Sequence, residues 1–538
     1  MPNPLRVLSL LVLLASPLAA QTNATADLMS YGDVVGQQSE LVATGMVPNA
    51  PVILLVSLQP GPNPYLVNQT GDPDDLLSVG LDLAFTGIWF SGVADAAGEY
   101  RQPVTLPAGA SYLDREAWWQ AFSNVGGGGA AQYDAFTRVR RMSLNDHDRW
   151  QAAGSDAPFP EANLAWSVVE RGGDNGGAML IFASGGGPAL LTDELTPYPT
   201  SSGAWWIDAH DESQVAVAAT MNDSRAFHVQ VELADGRILV AGGVQGPYGN
   251  AQNGYFTKVL RSVEIYDPVA DAWTTVAPML KYRAGANATL LPDGRVIVAG
   301  GTEGNSANEI RAVDDLLGTA LKSTEIYDPA TDTWVFGPTM PEFKAGAMAA
   351  TLNDGRWLVA GGITHTLLFG IPIPDFSDNV SILDPTTMTW FNGGAKLKAK
   401  RALGGITVLP GGSVYIAGGA GGDIFNVGPI AKTERYNPVT NVSVAEQNLT
   451  VAVAFPANVT MPDGSVLVVG GAKGDLNDPI PVANVWRFEP GVGVSSLASM
   501  PETHAGGVVE LLEDGTVLVA GGESDLGTAV ATSISYTQ

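Results

Sequence analysis

The chain has 538 residues, more than one hydrophobic core usually organises, so two domains or one long repeat array is expected. Its 27 basic and 55 acidic residues give a formal net charge of −28, a field that repels nucleic acid and anionic membrane surfaces. No cysteine is present, which excludes disulfides, thiolate metal sites and cysteine nucleophiles, and 64 Gly and 35 Pro with only 15% charged residues describe an all-β chain of short strands and turns.

The opening "MPNPLRVLSLLVLLASPLAAQ" carries one Arg, an apolar run and small residues before Gln21, and reads as a secretory signal over residues 1–20. No later run of 18 or more apolar residues occurs, so no membrane span is expected. Export leaves the periplasm, the exterior or the cell surface as destinations. Residues 21–145 lack the repeat found downstream: "QQSELVATGMVPNAPVILLVSLQ" and "GIWFSGVADAAGEYRQPVTLPAGA" read as strand pairs of a small β-sandwich. "GDPDD" (71–75) lacks the alternation of a calcium loop, and "NVGGGGAAQ" (124–132) lacks the Lys-Ser/Thr of a phosphate loop, so both read as solvated loops.

From residue 146 onward the sequence repeats. Turns "ADGR" (234–237), "PDGR" (292–295), "NDGR" (353–356), "PGGS" (410–413), "PDGS" (462–465) and "EDGT" (513–516) separate β-branched runs, and each second run ends in Gly-Gly. The second Gly falls at 243, 301, 362, 419, 471 and 522, giving steps of 58, 61, 57, 52 and 51 residues. A period near 50 with four strands predicts propeller blades, which bury their faces only against one another. "AWWIDAHDESQVAVAATMNDSRA" (204–226) lies without gaps on "SVEIYDPVADAWTTVAPMLKYRA" (262–284), so a weaker copy precedes the six and seven blades are expected. The last copy stops at "TSISYTQ" without a fourth strand. "DHDRWQAAGSDAPFP" (146–160), with Trp150 at the phase of Trp273, supplies one, so the propeller spans 146–538 with an N-terminal strand closing its last blade.

The Gly-Gly pairs, the Tyr-Asp-Pro triplets at 266–268 and 327–329 and the Trp after each resemble kelch repeats, which the galactose oxidase central domain also shares; the resemblance covers about 390 residues. The galactose oxidase likeness implies copper on the propeller axis, held by two His and two Tyr, one Tyr crosslinked to Cys. With no Cys and with His147, His210, His228, His365 and His504 at different phases, a copper site is not expected, nor is any other cofactor. No nucleophile elbow and no His-Glu-x-x-His helix occurs.

Arg225, Arg283, Lys344, Arg401 and His504 fall at one position, the start of the innermost strand, in a series broken at Asn163 and Val451. Two readings follow. These cations cap the preceding loop or pair with the repeated Glu264, Glu325 and Glu434, or they ring the channel mouth as a basic collar for a carboxylate or sulfate. The long loops 244–260, 302–322 and 363–379 add Tyr248, Tyr255, Phe256, Phe369 and Phe376 as stacking groups. The expected function is an exported, non-catalytic binding protein whose propeller mouth takes a glycan or an extracellular protein or peptide, anionic groups included. A copper-free carbohydrate-active enzyme of the galactose oxidase or sugar-epimerase kind and a structural surface-layer component are the alternatives.

Overall fold

A computed structural model describes residues 27–31, 38–44, 46–57, 60–68, 76–81, 86–105, 115–123, 135–136, 140–144, 149–152, 161–171, 178–190, 197–208, 215–311, 315, 319–368, 371–391, 396–423, 426–476, 478–512, 516–524 and 533–537. The signal segment, "GDPDD", "NVGGGGAAQ", His147, His210 and Phe369 lie outside these. In the N-terminal part, Asp27–Tyr31, Gln38–Thr44 and Tyr100–Thr105 form one sheet, and Arg140–Leu144, Arg115–Ser123, Pro51–Ser57 and Thr86–Val93 another. Leu41, Ala43 and Tyr100 of the first share a core with Val52, Leu54, Trp119 and Ala121 of the second. The two sequence segments read as strand pairs therefore each cross between sheets instead of forming a hairpin.

Seven four-stranded antiparallel sheets follow among the described residues. Blade 1 is Ala165–Arg171, Ala178–Ser184, Ala204–Asp208 and Val215–Val217; blade 2 is Val229–Glu232, Ile238–Ala241, Val263–Asp267 and Ala272–Val276. Blade 3 is Asn287–Leu290, Val296–Ala299, Thr324–Asp328 and Thr333–Phe336; blade 4 is Met348–Thr351, Trp357–Ala360, Val380–Asp384 and Thr389–Phe391. Blade 5 is Gly405–Val408, Val414–Ala417, Thr433–Asn437 and Val442–Ala445, and blade 6 is Ala457–Thr460, Val466–Val469, Val485–Glu489 and Gly493–Ser496. Blade 7 takes Val508–Leu511, Val517–Ala520 and Ser533–Thr537 from the C-terminal end and Arg149–Ala152 from far upstream. Trp150 faces Tyr536 in register, as Trp273 faces Tyr266 in blade 2.

First strands of successive blades touch, which places them nearest the axis. Each interface between neighbours is one apolar cluster: Phe182 and Trp206 of blade 1 meet Tyr266 of blade 2, Ile265 of blade 2 meets Tyr327 of blade 3, and Ile181 of blade 1 meets Leu518 of blade 7, so the ring closes. The repeated aromatics staple these interfaces. The Trp273, Trp334 and Trp390 indoles donate to the carbonyls of Ala219, Ala277 and Pro338 on the preceding blade side, at 2.7–2.8 Å. The Tyr266, Tyr327 and Tyr436 hydroxyls donate to Asp271, Asp332 and Asn441, which hold positive φ in the turn before the outer strand.

One alignment shifts. Gly185 N–H donates to Gly203 where Gly242 N–H donates to Ser262, so Gly203 takes the place of Ser262. Met221 and Arg225 still match Met279 and Arg283, and the gapless alignment is therefore one residue out along the third strand of blade 1.

Candidate functional site

The loops into the first strand and out of the second lie on one face of the ring, because the strands alternate in direction; the Asp-Gly turns lie on the other. On the first face the Gly-Gly pair explains itself. The first Gly of blades 1 to 4 has φ between 64° and 68°, and a Cβ there would lie 2.3 Å from the carbonyl oxygen of Arg225, Arg283, Lys344 or Arg401 in the next blade. The second Gly donates its N–H to that same carbonyl at 2.7–2.8 Å, locking each blade to its successor.

The side chains of these four cations turn inward. Arg283 donates through Nη1 to the carbonyls of Gly300 (2.7 Å) and Ser323 (3.0 Å), and through Nε and Nη2 to Glu325 (3.0 and 2.9 Å). Arg225 donates through Nη1 to Gly242 and Ser262 and through Nη2 alone to Glu264, and Arg401 likewise to Gly418, Lys432 and Glu434; the Nε of both is buried without a partner. Each Glu also accepts backbone N–H groups of the loop entering the first strand: Asn222 and Asp223 on Glu264, Leu280 and Lys281 on Glu325, Lys398 and Ala399 on Glu434. In blade 4, Ser381 stands where the others have Glu, and the cation is Lys344, which donates to the carbonyls of Gly361 (2.8 Å) and Asn379 (2.9 Å). Burial lowers the pKa of all four; Lys344 falls to about 8, with Glu342 opposing the shift.

The open basic collar is thus corrected. Arg225, Arg283, Lys344, Arg401 and His504 are buried because each fills the space between the loops of its own blade and donates to the carbonyl of the first Gly of that blade's pair. His504 donates Nδ1–H to the Gly521 carbonyl at 2.8 Å, which fixes its tautomer, and burial lowers its pKa. The position is taken by Glu161 in blade 1 and Val453 in blade 6, whose carbonyls accept from Gly522 and Gly419; the breaks fall there and not at Asn163 and Val451.

Two positions further on lies a collar that sequence reading missed. Asn163, Phe227, Gly285, Gly346, Leu403, Phe455 and Gly506 all have φ between 54° and 69°. Each of Asn163, Phe227, Gly285, Gly346, Leu403 and Phe455 donates its N–H to the carbonyl of its counterpart in the preceding blade, at 2.8–3.2 Å, so peptide hydrogen bonds run around the axis. A left-handed Phe or Leu costs about 1–2 kcal/mol. Leu403 reaches over Gly346 and Leu190 over Gly506, filling the spaces those glycines leave. The readable signal is the Ala at 162, 226, 284, 345, 402, 454 and 505, always buried directly before the collar residue.

Around the collar stands a crown of hairpins, each starting directly after a Gly-Gly pair: Val244–Asn250 with Gly254–Val259, Ile363–Leu368 with Ile371–Phe376, Ala420–Asp423 with Asn426–Pro429, and Ala472–Asp475 with Asp478–Pro481. Glu309–Ile310 from blade 3 joins the first as a third strand. Tyr248 and Phe256 stack on each other (centroids 5.7 Å apart), with Lys258 over Tyr248 (4.7 Å) and Arg311 over Phe256 (4.4 Å). These rings are therefore engaged within the protein and do not stand open as stacking platforms; Tyr255 is half-buried beside them and Phe376 is buried. Arg261 lies over Tyr282 and Lys322 over Phe343.

Charge is divided between the faces. At the Asp-Gly face Arg237, Arg295, Arg356 and Arg487 all pair with Asp residues. On the crown face Lys258, Arg261, Lys322, Lys398, Lys432 and Lys473 are exposed and, among the described residues, have no carboxylate partner.

Residues 227–280 and 288–341 match the family model of the kelch motif. The kelch-like protein terF of Aspergillus terreus is 27% identical over 312 residues, which is 56% of this chain and 60% of terF. Galactose oxidase of Gibberella zeae is 23% identical over 354 residues, 60% of this chain and 46% of that enzyme. The solved structure of YjhT superposes with a TM-score of 0.44 at 16% identity, covering 64% of this chain and 99% of that one. The chain spans less than two thirds of the length of the two curated relatives. Together with the seven four-stranded sheets, the motif makes this protein a kelch-repeat propeller. The copper-binding residues of the galactose oxidase kind are not matched: the chain has no Cys, and His228, His365 and His504 sit apart, beside Ser184, against the Phe343 ring and beside Gly521.

Proposed function

We propose that this protein is an exported recognition protein that holds a partner protein or peptide bearing anionic groups on its crown face. Kelch repeats mediate protein–protein interaction, which supports a binding role. The observation that carries the reading is the charge division: in a chain of net charge −28, the propeller cations without a carboxylate partner among the described residues lie on the one face that also carries the hairpins. Clustered cations inside a repulsive acidic shell select anions and steer them to that face.

The test is an array of acidic peptides and acidic glycans probed with the full chain and with Lys258→Glu/Arg261→Glu/Lys322→Glu. Acidic peptides should bind the wild type and not the variant. Retention by the variant, a preference for glycans over peptides, or chemical turnover of a bound sugar would each contradict the reading.

A further inference from the structure

Blade 1 departs from the way the other blades close their inner loops. In five blades a buried side-chain nitrogen, from Arg225, Arg283, Lys344, Arg401 or His504, donates to the carbonyl of the first Gly of the pair. The three Arg and Lys344 also donate to the carbonyl just before the third strand, on Ser262, Ser323, Asn379 or Lys432. The matching oxygens in blade 1 belong to Gly185 and Gly203. Among the described residues no side chain donates to either, and the residue at the cation position is Glu161.

Glu161 enters the same compartment as those cations. Its own carbonyl accepts the Gly522 N–H from blade 7 at 2.8 Å, as the Arg225 carbonyl accepts the Gly186 N–H from blade 1. A Cβ on Gly186 would lie 2.6 Å from Glu161 Cβ and 3.2 Å from its Cγ, and in blade 4 the Lys344 Cβ stands over Gly362 in the same way, at 3.3 Å. The carboxyl reaches the Ser201 hydroxyl, which also accepts the Gly203 N–H at 3.1 Å. Its Oε2 is buried without a hydrogen-bond partner among the described residues.

Blade 6 shows that the fold does not require an acid here. There Val453 takes the cation position and Trp486 the third-strand position of Glu264, so neither charge is present. Blade 1 has the same aromatic, Trp205, in its third strand, yet carries Glu161 where blade 6 uses Val453. A carboxylate without a counter-charge is costly to bury, and the neighbouring carbonyl oxygens add to the negative potential.

We infer that blade 1 binds a hard cation at this point, held by the Glu161 carboxylate, the Gly185 and Gly203 carbonyls and the Ser201 hydroxyl, with water completing its shell. Na⁺, K⁺ and Ca²⁺ accept irregular sets of such oxygens, whereas Mg²⁺ demands a near-ideal octahedron and dehydrates reluctantly. The ion takes the role that a guanidinium or an ammonium has in blades 2 to 5; without it, a proton neutralises Glu161. Glu161, Ser201 and Gly203 are half-buried, so the ion reaches them from solvent, and the net charge of −28 enriches cations near the surface. Through the hydrogen bond from Gly522 to Glu161, the ion braces the junction at which blades 7 and 1 close the ring.

The experiment is thermal melting of the full chain at constant ionic strength in choline chloride, NaCl, KCl, CaCl2 or MgCl2, in a buffer alkaline enough to ionise Glu161. At least one of Na⁺, K⁺ and Ca²⁺ should raise the wild-type melting temperature by a few degrees over choline, saturably, and Mg²⁺ should not. Glu161→Arg, which supplies the charge covalently, should melt above the wild type in choline and alike in all five salts. Glu161→Gln keeps the shape without the charge and should lose the ion response, so the test stands if the Arg variant folds poorly. A wild type that melts alike in all five salts, a response to Mg²⁺ equal to that of the other ions, or a Glu161→Gln response as large as that of the wild type would each overturn the inference.

Discussion

Arg283 and Glu325 show how one position is used around the ring. A guanidinium can satisfy two carbonyls and a carboxylate at once, and the carboxylate in turn accepts from the loop that delivers the Arg. Where Ser381 stands in place of the carboxylate, the cation is Lys344, and its counter-charge is Glu342 at 3.6 Å instead. Arg283→Met should cost about 3–5 kcal/mol in urea unfolding, because Glu325 is left buried without its counter-charge. Arg283→Met/Glu325→Leu should recover part of that loss; a single change costing under about 1 kcal/mol would contradict the pairing. Glu161 is the opposite case, an acid in the position that three blades give to Arg and one to Lys344. One of its oxygens is buried without a partner, and burial pushes its pKa up to about 7 from 4.5. A raised folded pKa means that the stability associated with the protonated acid is complete below pH 4.5 and is lost as pH rises through about 7. The melting temperature of wild type minus that of Glu161→Gln should therefore fall across that window, and a flat difference would show that Glu161 is solvated.

At the scale of elements, the strand Arg149–Ala152 lies nearly 400 residues upstream in sequence from its neighbour Ser533–Thr537, yet holds the register of the within-repeat pairs. A chain starting at residue 146 should keep the ring folded. One starting at 161 should lose cooperative melting and aggregate, because Ser533–Thr537 becomes a bare edge. Equal melting temperatures for the two would refute that role. This organisation was legible because Asp-Gly turns, Gly-Gly pairs and a repeated Trp each have a single backbone reason to recur. The depth of the cations was less legible. Sequence placed Arg225, Arg283, Lys344 and Arg401 at one phase, but phase does not say whether a long side chain runs outward or folds back onto its own carbonyls; the accompanying Glu264, Glu325 and Glu434 were the only sign. The axial collar was hidden because Phe227, Leu403 and Phe455 hold a left-handed conformation that their residue types do not announce. The crown hairpins were read as variable loops, since their sequences share no pattern.

For the whole molecule, the geometry repeated from blade to blade holds the blades together, and the differences between blades lie on the faces and the rim. Buried cations bind the loops of their own blades together, while on the crown face other cations stay exposed. The central claim, that the exposed crown cations and not the buried ones carry recognition, is tested most directly by the salt dependence of affinity for an acidic peptide taken from the array. For the wild type, the logarithm of the affinity should fall steeply with the logarithm of NaCl concentration, since exposed charges are screened at about 10 Å already at 0.1 M. Lys258→Glu/Arg261→Glu/Lys322→Glu should melt like the wild type and show no binding at any salt concentration. An affinity for the wild type that is indifferent to salt, or a variant that binds with the wild-type slope, would contradict the account.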